Sequence, residues 1–337
     1  MKCSRGLVFA AVFLISCLMA IGSLGSAAHA ASKEIKVRFG FAESDTSPHY
    51  KGYQIIAANM EKASKGLLKI SLFPSNQLGS ERDMYEGAQV GTMDALIITN
   101  AALTNFIPEA AVLDQPFLFD KPETAHQIID GKLGDMIKEI SAKKGVTILG
   151  WADSGFRDVF SAKPIKSIAD IKGLKIRTME NKMHMAAYNA IGAIATPMAF
   201  GDVFTAMQQK TIDGYENSIA NMYANRFYEV CKFGVRSRMH FAFQGMCISN
   251  KLWERIPDEM KADIIKGVQE GCNLERKFLE EANQAYEKEL AAQKGVTFID
   301  VDRNELAKVA GDAMKQFSFN KEWLDILNSE LKRVKGQ

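Results

Sequence analysis

Along this chain the hydrophobic and polar positions change period in a repeating order. Residues 35–41 alternate as a half-buried strand does, a turn with Asp45 and Pro48 follows, and residues 49–63 carry a helical recurrence that Lys65-Gly66 ends. Residues 68–73 predict a second strand running into Pro74, residues 80–90 a second helix, and residues 95–99 a third strand. Strands alternating with helices at this spacing predict a mainly parallel sheet covered on both faces. The order then returns: strand 174–178, helix 182–191, and helix 201–209 ahead of Ile212-Asp213-Gly214. Residues 88–95 (AQVGTMDA) line up with residues 207–214 (MQQKTIDG), with few identities, and together with the repeated order this predicts two similar lobes. From Pro257 to Leu331 the pattern is helical, and residues 259–293 contain no proline. A helix of about 30 residues reaches roughly 45 Å, longer than one lobe, so its expected use is to bridge both.

The first thirty residues set the compartment. Lys2 and Arg5 precede an apolar stretch from Leu7 to Ile21, and Ala28-His29-Ala30 closes a small-residue segment. This is the layout of a secretory signal peptide over residues 1–30, cleaved after Ala30 into the periplasm. Leu14-Ile15-Ser16-Cys17 also resembles a lipobox, which would leave a lipidated Cys17, but the apolar run continues to Ile21. No later segment combines the length and lack of charge that a membrane span needs. Removing the leader takes two of the 42 basic residues and none of the 40 acidic ones. The resulting balance argues against a nucleic-acid partner, which phosphate neutralisation would require to be basic. Three cysteines remain, Cys231, Cys247 and Cys272, without a CxxC pair. Buried thiols are the favoured reading over a single bridge with one thiol left.

Motifs for nucleotide phosphates, serine hydrolysis or zinc (GxGxxG, GxxxxGK[ST], GxSxG, HExxH) are missing, and His49, His126, His184 and His240 are too scattered for metal-ligand spacing. No cofactor or metal is expected, and the enzyme reading is weakened. Arg157 and Arg177 sit at the ends of predicted strands, where ligands of open α/β sheets bind. A guanidinium fork matches a carboxylate with two parallel hydrogen bonds. Position alone leaves open whether each arginine meets a ligand or a neighbouring acid. Asn217 follows the Asp213-Gly214 turn, where its amide could donate to the same anion, with Tyr215 against the ligand body and Phe200 nearby; turn and core roles remain the alternatives.

Four stretches carry a family resemblance: residues 73–95 (FPSNQLGSERDMYEGAQVGTMDA), residues 115–120 (QPFLFD), residues 165–177 (IKSIADIKGLKIR), and residues 192–217 (GAIATPMAFGDVFTAMQQKTIDGYEN) followed by RFYEVCKF. The chain resembles the solute-binding proteins of the TRAP (tripartite ATP-independent periplasmic) transporters, the DctP type. The resemblance implies an α/β fold of the periplasmic-binding-protein type II kind, two lobes with a hinge and a long C-terminal helix crossing both. Lobe I would comprise 33–153 plus 244–282, and lobe II 154–243 plus 283–337. It implies a receptor, not an enzyme, that captures a small organic anion and delivers it to the TRAP membrane subunits; a freely hinging monomer is the simplest expectation. By similarity Arg177 takes the carboxylate, Asn217 hydrogen-bonds it and Arg157 adds positive charge. Phe200 packs on the ligand body, and Glu81 and Asn100 meet the far end; Trp151 and Tyr215 complete the expected site. Two departures stand out: Tyr215 replaces the usual glutamine, and Gly-Val-Arg-Ser-Arg-Met-His follows Phe233. A sulfonate receptor, the receptor of an ATP-driven transporter, and a periplasmic enzyme using Glu81 or Glu180 as general base are the competing readings.

Overall fold

The structure, a computed structural model, describes residues 34–336. The leader, the cleavage after Ala30 and Cys17 lie outside the described residues. β1 (Ile35–Gly40), α1 (Pro48–Ala63), β2 (Leu68–Phe73), α2 (Glu81–Val90) and β3 (Ala95–Thr99) follow the expected order. Their ends have local causes. Ser47 caps α1 ahead of Pro48, whose missing N–H lies where the first turn needs none. Ser80 and Asp83 form a reciprocal capping box on α2, and Gly91 stops it in a left-handed conformation.

A short α3 (Asn100–Leu103) leads through α4 (Pro122–Ile129) and α5 (Lys132–Lys143) to β4 (Val146–Ser161). The repeat follows as β5 (Lys175–Thr178), α6 (Lys182–Ala190), β6 (Ile194–Pro197), α7 (Val203–Gln208) and β7 (Gly214–Asn217). After α8 (Ile219–Ala224), the chain returns through β8 (Phe233–Ser249), α9 (Asn250–Trp253), the 36-residue α10 (Asp258–Gln293), β9 (Thr297–Ile299), α11 (Arg303–Met314) and α12 (Lys321–Lys335).

One sheet holds all nine strands in the order β2-β1-β3-β8-β4-β7-β5-β6, with β9 on β8. Each end repeats one winding: β2-β1-β3 at one side, β6-β5-β7 at the other. The aligned segments 88–95 and 207–214 both run from the end of a helix into the first residue of the third strand of their unit, Ala95 or Gly214. The expectation of a mainly parallel sheet is corrected at the centre, where β3, β8, β4 and β7 pair antiparallel. β4 and β8 are buried along nearly their whole length, so they show little of the alternation that marks a half-buried strand.

Successive β4 residues feed opposite faces. Val159 joins a core with Ile176, Tyr188 and Leu306, and Phe160 joins one with Tyr215, Phe227 and Leu290. A third core, with Leu96, Ile98, Ile128 and Trp151, lies at the β1–β3 end. Trp323 and Leu327 of α12 belong to that core, so the last helix packs with the first half of the sheet and not, as expected, with the second. Helix α10 lies against α1, β4 and α8, spanning both halves. It approaches α1 closely: a Cβ on Gly52 would collide with Glu275, and one on Gly271 would come within 3.1 Å of Ile56 Cα. The three cysteines among the described residues, Cys231, Cys247 and Cys272, are buried and free, and no described helix is long and apolar enough to cross a membrane.

Candidate functional site

The carboxyl ends of β1, β3, β5 and β7 converge on a narrow cleft between the two halves. Ala42, Glu43, Glu81 and Thr99 line it from one side, and Arg177, Met198, Phe200 and Asn217 from the other, with Ser154 and Arg157 of β4 at the base. It encloses about 50 Å³ of space, and hydrogen bonds join the two halves beside it. Asn181 Nδ2 donates to Ala101 O (3.1 Å), Thr104 Oγ1 (3.0 Å) and Asp114 Oδ2 (2.7 Å), and Asn105 Nδ2 donates to Glu180 O (2.9 Å).

The two arginines differ in what they can offer. Arg157 lies in the middle of β4 rather than at a strand end, because that strand continues to Ser161. Its Nε and Nη2 face the buried carboxylate of Glu216, and Nη2 also donates to Glu216 O at 2.9 Å. Nη1 makes one long contact, 3.5 Å to Ser154 Oγ. Burial alone would raise the Glu216 carboxyl, but Arg157 and then His184 more than offset this and hold it well below the usual range. His184 Nδ1 sits 3.8 Å from Glu216 Oε1, beyond ordinary hydrogen-bond reach. Arg157 is therefore paired with a neighbouring acid and keeps one nitrogen for anything else.

Arg177, only 2% exposed, has no carboxylate partner among the described residues. Its Nε (2.9 Å) and Nη2 (2.6 Å) both donate to Met198 O, which fills one edge of the guanidinium. The Nη1/Nη2 edge is left without a protein acceptor among the described residues, and that edge can take a carboxylate fork. Burial, the largest cause, lowers its pKa to about 10. Beside it, Asn217 Oδ1 accepts from Ser218 N (2.8 Å) and Asn221 Nδ2 (3.1 Å). Two donors on the oxygen fix the amide so that Nδ2 remains to donate.

Of the expected residues, Arg157, Arg177, Asn217, Phe200 and Glu81 come together here. Asn100, Tyr215 and Trp151 do not line the cleft. Asn100 is occupied elsewhere, its Nδ2 on Asp114 and its Oδ1 accepting from Phe243 N at 2.8 Å. Tyr215 packs between Phe160 and Phe227 in the core, so the aromatic expected beside the anion lies beneath it. Trp151 is turned into the core at the β1–β3 end, because register shifts in β4 after Ile148 and again after Asp153 reset which residues face the cleft.

Sequence reasoning missed Glu216 and Glu43. Glu216 could have been found: on β7 it alternates with Tyr215 and Asn217, which leaves a buried acid on the other face in need of a cation. Glu43, 4% exposed, follows β1 where no pattern marks it.

A cleft at converging strand ends, between two like-wound halves and lined by a buried guanidinium without a carboxylate partner among the described residues, defines a receptor for a small anion. The family model of bacterial extracellular solute-binding proteins, family 7 (DctP), matches residues 39–320, and the chain belongs to that family. The 2,3-diketo-L-gulonate-binding periplasmic protein YiaO of Escherichia coli (strain K12) is 31% identical over 282 residues, covering 83% of this chain and 85% of that protein. A TRAP periplasmic solute-binding protein from Polaromonas sp. JS666, solved bound to D-erythronate, is 30% identical with a TM-score of 0.84, covering 88% of this chain and 98% of that one. The sugar acid binding protein DctPAm of Advenella mimigardefordensis strain DPN7T, in complex with galactonate, is 26% identical with a TM-score of 0.86, covering 90% and 99%.

Proposed function

We propose that this protein captures a small organic acid in the cleft and delivers it, in the periplasm, to the membrane subunits of a TRAP transporter. The observation that carries the reading is Arg177: a buried guanidinium without a carboxylate partner among the described residues, its fork-shaped edge left open at the cleft. The ligand carboxylate takes Nη1 and Nη2 of Arg177, Asn217 Nδ2 donates to it, and Arg157 Nη1 adds a third contact. Phe200, partly buried against Phe227, covers the ligand body.

Closure follows from where the contacts lie. Arg177 and Asn217 belong to the half around β5 and β7, and Glu43 and Glu81 to the half around β1 and β3. The hinge divides the chain near residues 153/154 and 243/244 and crosses α10 near 282/283, with α12 riding on the first lobe. A ligand held first by the arginines gains its remaining contacts only when the lobes meet, and that differential affinity shifts the hinge equilibrium. The receptor works as a monomer and turns nothing over.

A thermal-shift screen of the purified protein against carboxylates and sulfonates tests this. Stabilisation by a carboxylate series, with the acid recovered unchanged, is the expected result. Stabilisation by sulfonates alone would move the ligand class, and conversion of the acid would replace the receptor with an enzyme.

A further inference from the structure

We propose that a cavity on the face of β4 turned away from the cleft is a second ligand site, built for a small neutral alcohol with an aromatic or hydrocarbon body. It is separate from the anion cleft and does not depend on the receptor reading.

Successive strand residues face opposite ways. Ser154 lines the cleft, whereas its neighbours Asp153 and Gly155 line a cavity of about 380 Å³, walled on its far side by one face of α10 from Arg276 to Glu287. That size falls within the roughly 300–1,000 Å³ of small-molecule pockets. Phe156, Phe241, Ile219 and Leu279 supply apolar walls.

Two buried polar groups face each other there. Asp153, 3% exposed, gives Oδ2 to His126 Nε2 at 2.5 Å, and its Oδ1 has no partner among the described residues. Arg276, 8% exposed, gives both Nη groups to Asp130, at 2.6 and 2.9 Å, and its Nε has no partner among the described residues. Nε and Oδ1 stand 3.8 Å apart, too far to hydrogen-bond each other. Buried polar groups call for partners, and a donor beside an acceptor calls for one group that is both. A hydroxyl accepts from Nε and donates to Oδ1. An alcohol brings that hydroxyl together with a body for the apolar walls, which water lacks.

Charge disfavours an ion here. Residues 236–239 of β8 stand opposite Asp158 alone, a bulge that brings Arg236 and Arg238 to the cavity. Both belong to the segment after Phe233 that departs from the family resemblance. Arg236 Nε is paired with Glu287 at 2.6 Å. Arg238 lays its guanidinium over the Phe156 ring, 4.0 Å from the centroid, and its N–H donates to Asp158 at 2.9 Å. The walls thus carry both signs at close range, and a ligand charge of either sign meets a like charge.

Amide NMR titration of the purified protein with four probes sharing one ring tests the proposal: benzyl alcohol, toluene, benzoate and benzylammonium. Benzyl alcohol is expected to bind with a Kd of about 1 mM and to shift the amides of Asp153, Gly155 and Asn283, with the other three about 10-fold weaker or more. An apolar cavity alone would rank toluene first. Asp153→Leu removes the acceptor and should cancel the preference for the alcohol over toluene. Gln284→Trp, at an exposed position on the rim, leaves the core untouched and should weaken benzyl alcohol about 10-fold by covering the mouth. Unchanged melting of each variant shows that it folds. Toluene, benzoate or benzylammonium binding as tightly as the alcohol, shifts confined to cleft residues such as Thr99 and Asn217, a preference that survives in folded Asp153→Leu, or no binding of any probe overturns the proposal.

Discussion

Arg177→Met separates a ligand clamp from a structural arginine, because the two roles predict opposite patterns of stability and binding. Methionine retains most of the apolar stem and removes the guanidinium. Burial lowers that group to about 10, and at about 1.36 kcal/mol per pKa unit below the ordinary guanidinium value the substitution relieves roughly 3 kcal/mol of unfavourable charge burial. Against this, both hydrogen bonds to Met198 O disappear, and an unpaired buried carbonyl costs about 1–3 kcal/mol. These effects offset, and since 1 kcal/mol shifts the Tm of a chain this size by only about 2 °C, the ligand-free variant should melt within a few degrees of the wild type. Binding has no such compensation. Truncating one member of a buried, hydrogen-bonded charge pair costs about 2–5 kcal/mol, a loss of roughly 30-fold to several thousand-fold in Kd. Scanning fluorimetry with and without the acid reads both quantities, because ligand at about 100 times Kd adds about 2.7 kcal/mol to the wild type. A variant that keeps the full ligand-induced shift refutes the clamp. A ligand-free Tm lowered by about 10 °C or more would show that Arg177 serves the fold.

Glu216→Ala strands the buried Arg157 guanidinium and should lower the urea midpoint by an amount equivalent to about 3–5 kcal/mol, more than Glu216→Gln, which keeps an acceptor; equal midpoints for the wild type and both variants would discount the pair. Burial pushes the Asp158 carboxyl from 3.8 up to about 7, outweighing the N–H of Arg238 that donates to it. The folded state therefore binds that proton more tightly, so the carboxyl's contribution to stability is full below about pH 4 and is lost as pH rises through about 7. Asp158→Asn should stabilise by on the order of 3 kcal/mol at pH 8 and hardly at all at pH 4, and a pH-independent difference in Tm would contradict this. Gly52→Val wedges α1 away from Glu275 on α10 and should cost more than about 2 kcal/mol in thermal unfolding followed by circular dichroism; a neutral effect would show that the helices can separate freely.

Most of the fold was legible where local rules act alone. Periodicity and turn residues located β1 to β3, the helices between them, the repeat and the long α10; β1 and α10, for example, each set one face in a core and one in solvent. It was silent on β8 and on how far β4 runs past Arg157; both strands are buried along nearly their whole length and pair antiparallel with each other. The site was legible by residue type and less so by geometry. Arg177 and Asn217 follow from strand ends, but the register shifts that turn Trp151 inward, and the polar partners that occupy Asn100, depend on contacts across long sequence separations. Two arginines of equal promise in the sequence proved unequal because Glu216 comes within reach of only one. Trp323 and Leu327 show the same limit: their helical pattern predicts an apolar face without saying which core receives it.

The most direct test is a crystal structure of the protein with the acid that stabilises it most. The account predicts one carboxylate oxygen on each of Nη1 and Nη2 of Arg177, within ordinary hydrogen-bond distance, Asn217 Nδ2 on the same carboxylate, and the opposite end of the ligand facing Glu43 and Glu81. A carboxylate bound away from Arg177, or a ligand lodged outside the cleft while Arg177 still holds only Met198, would contradict it.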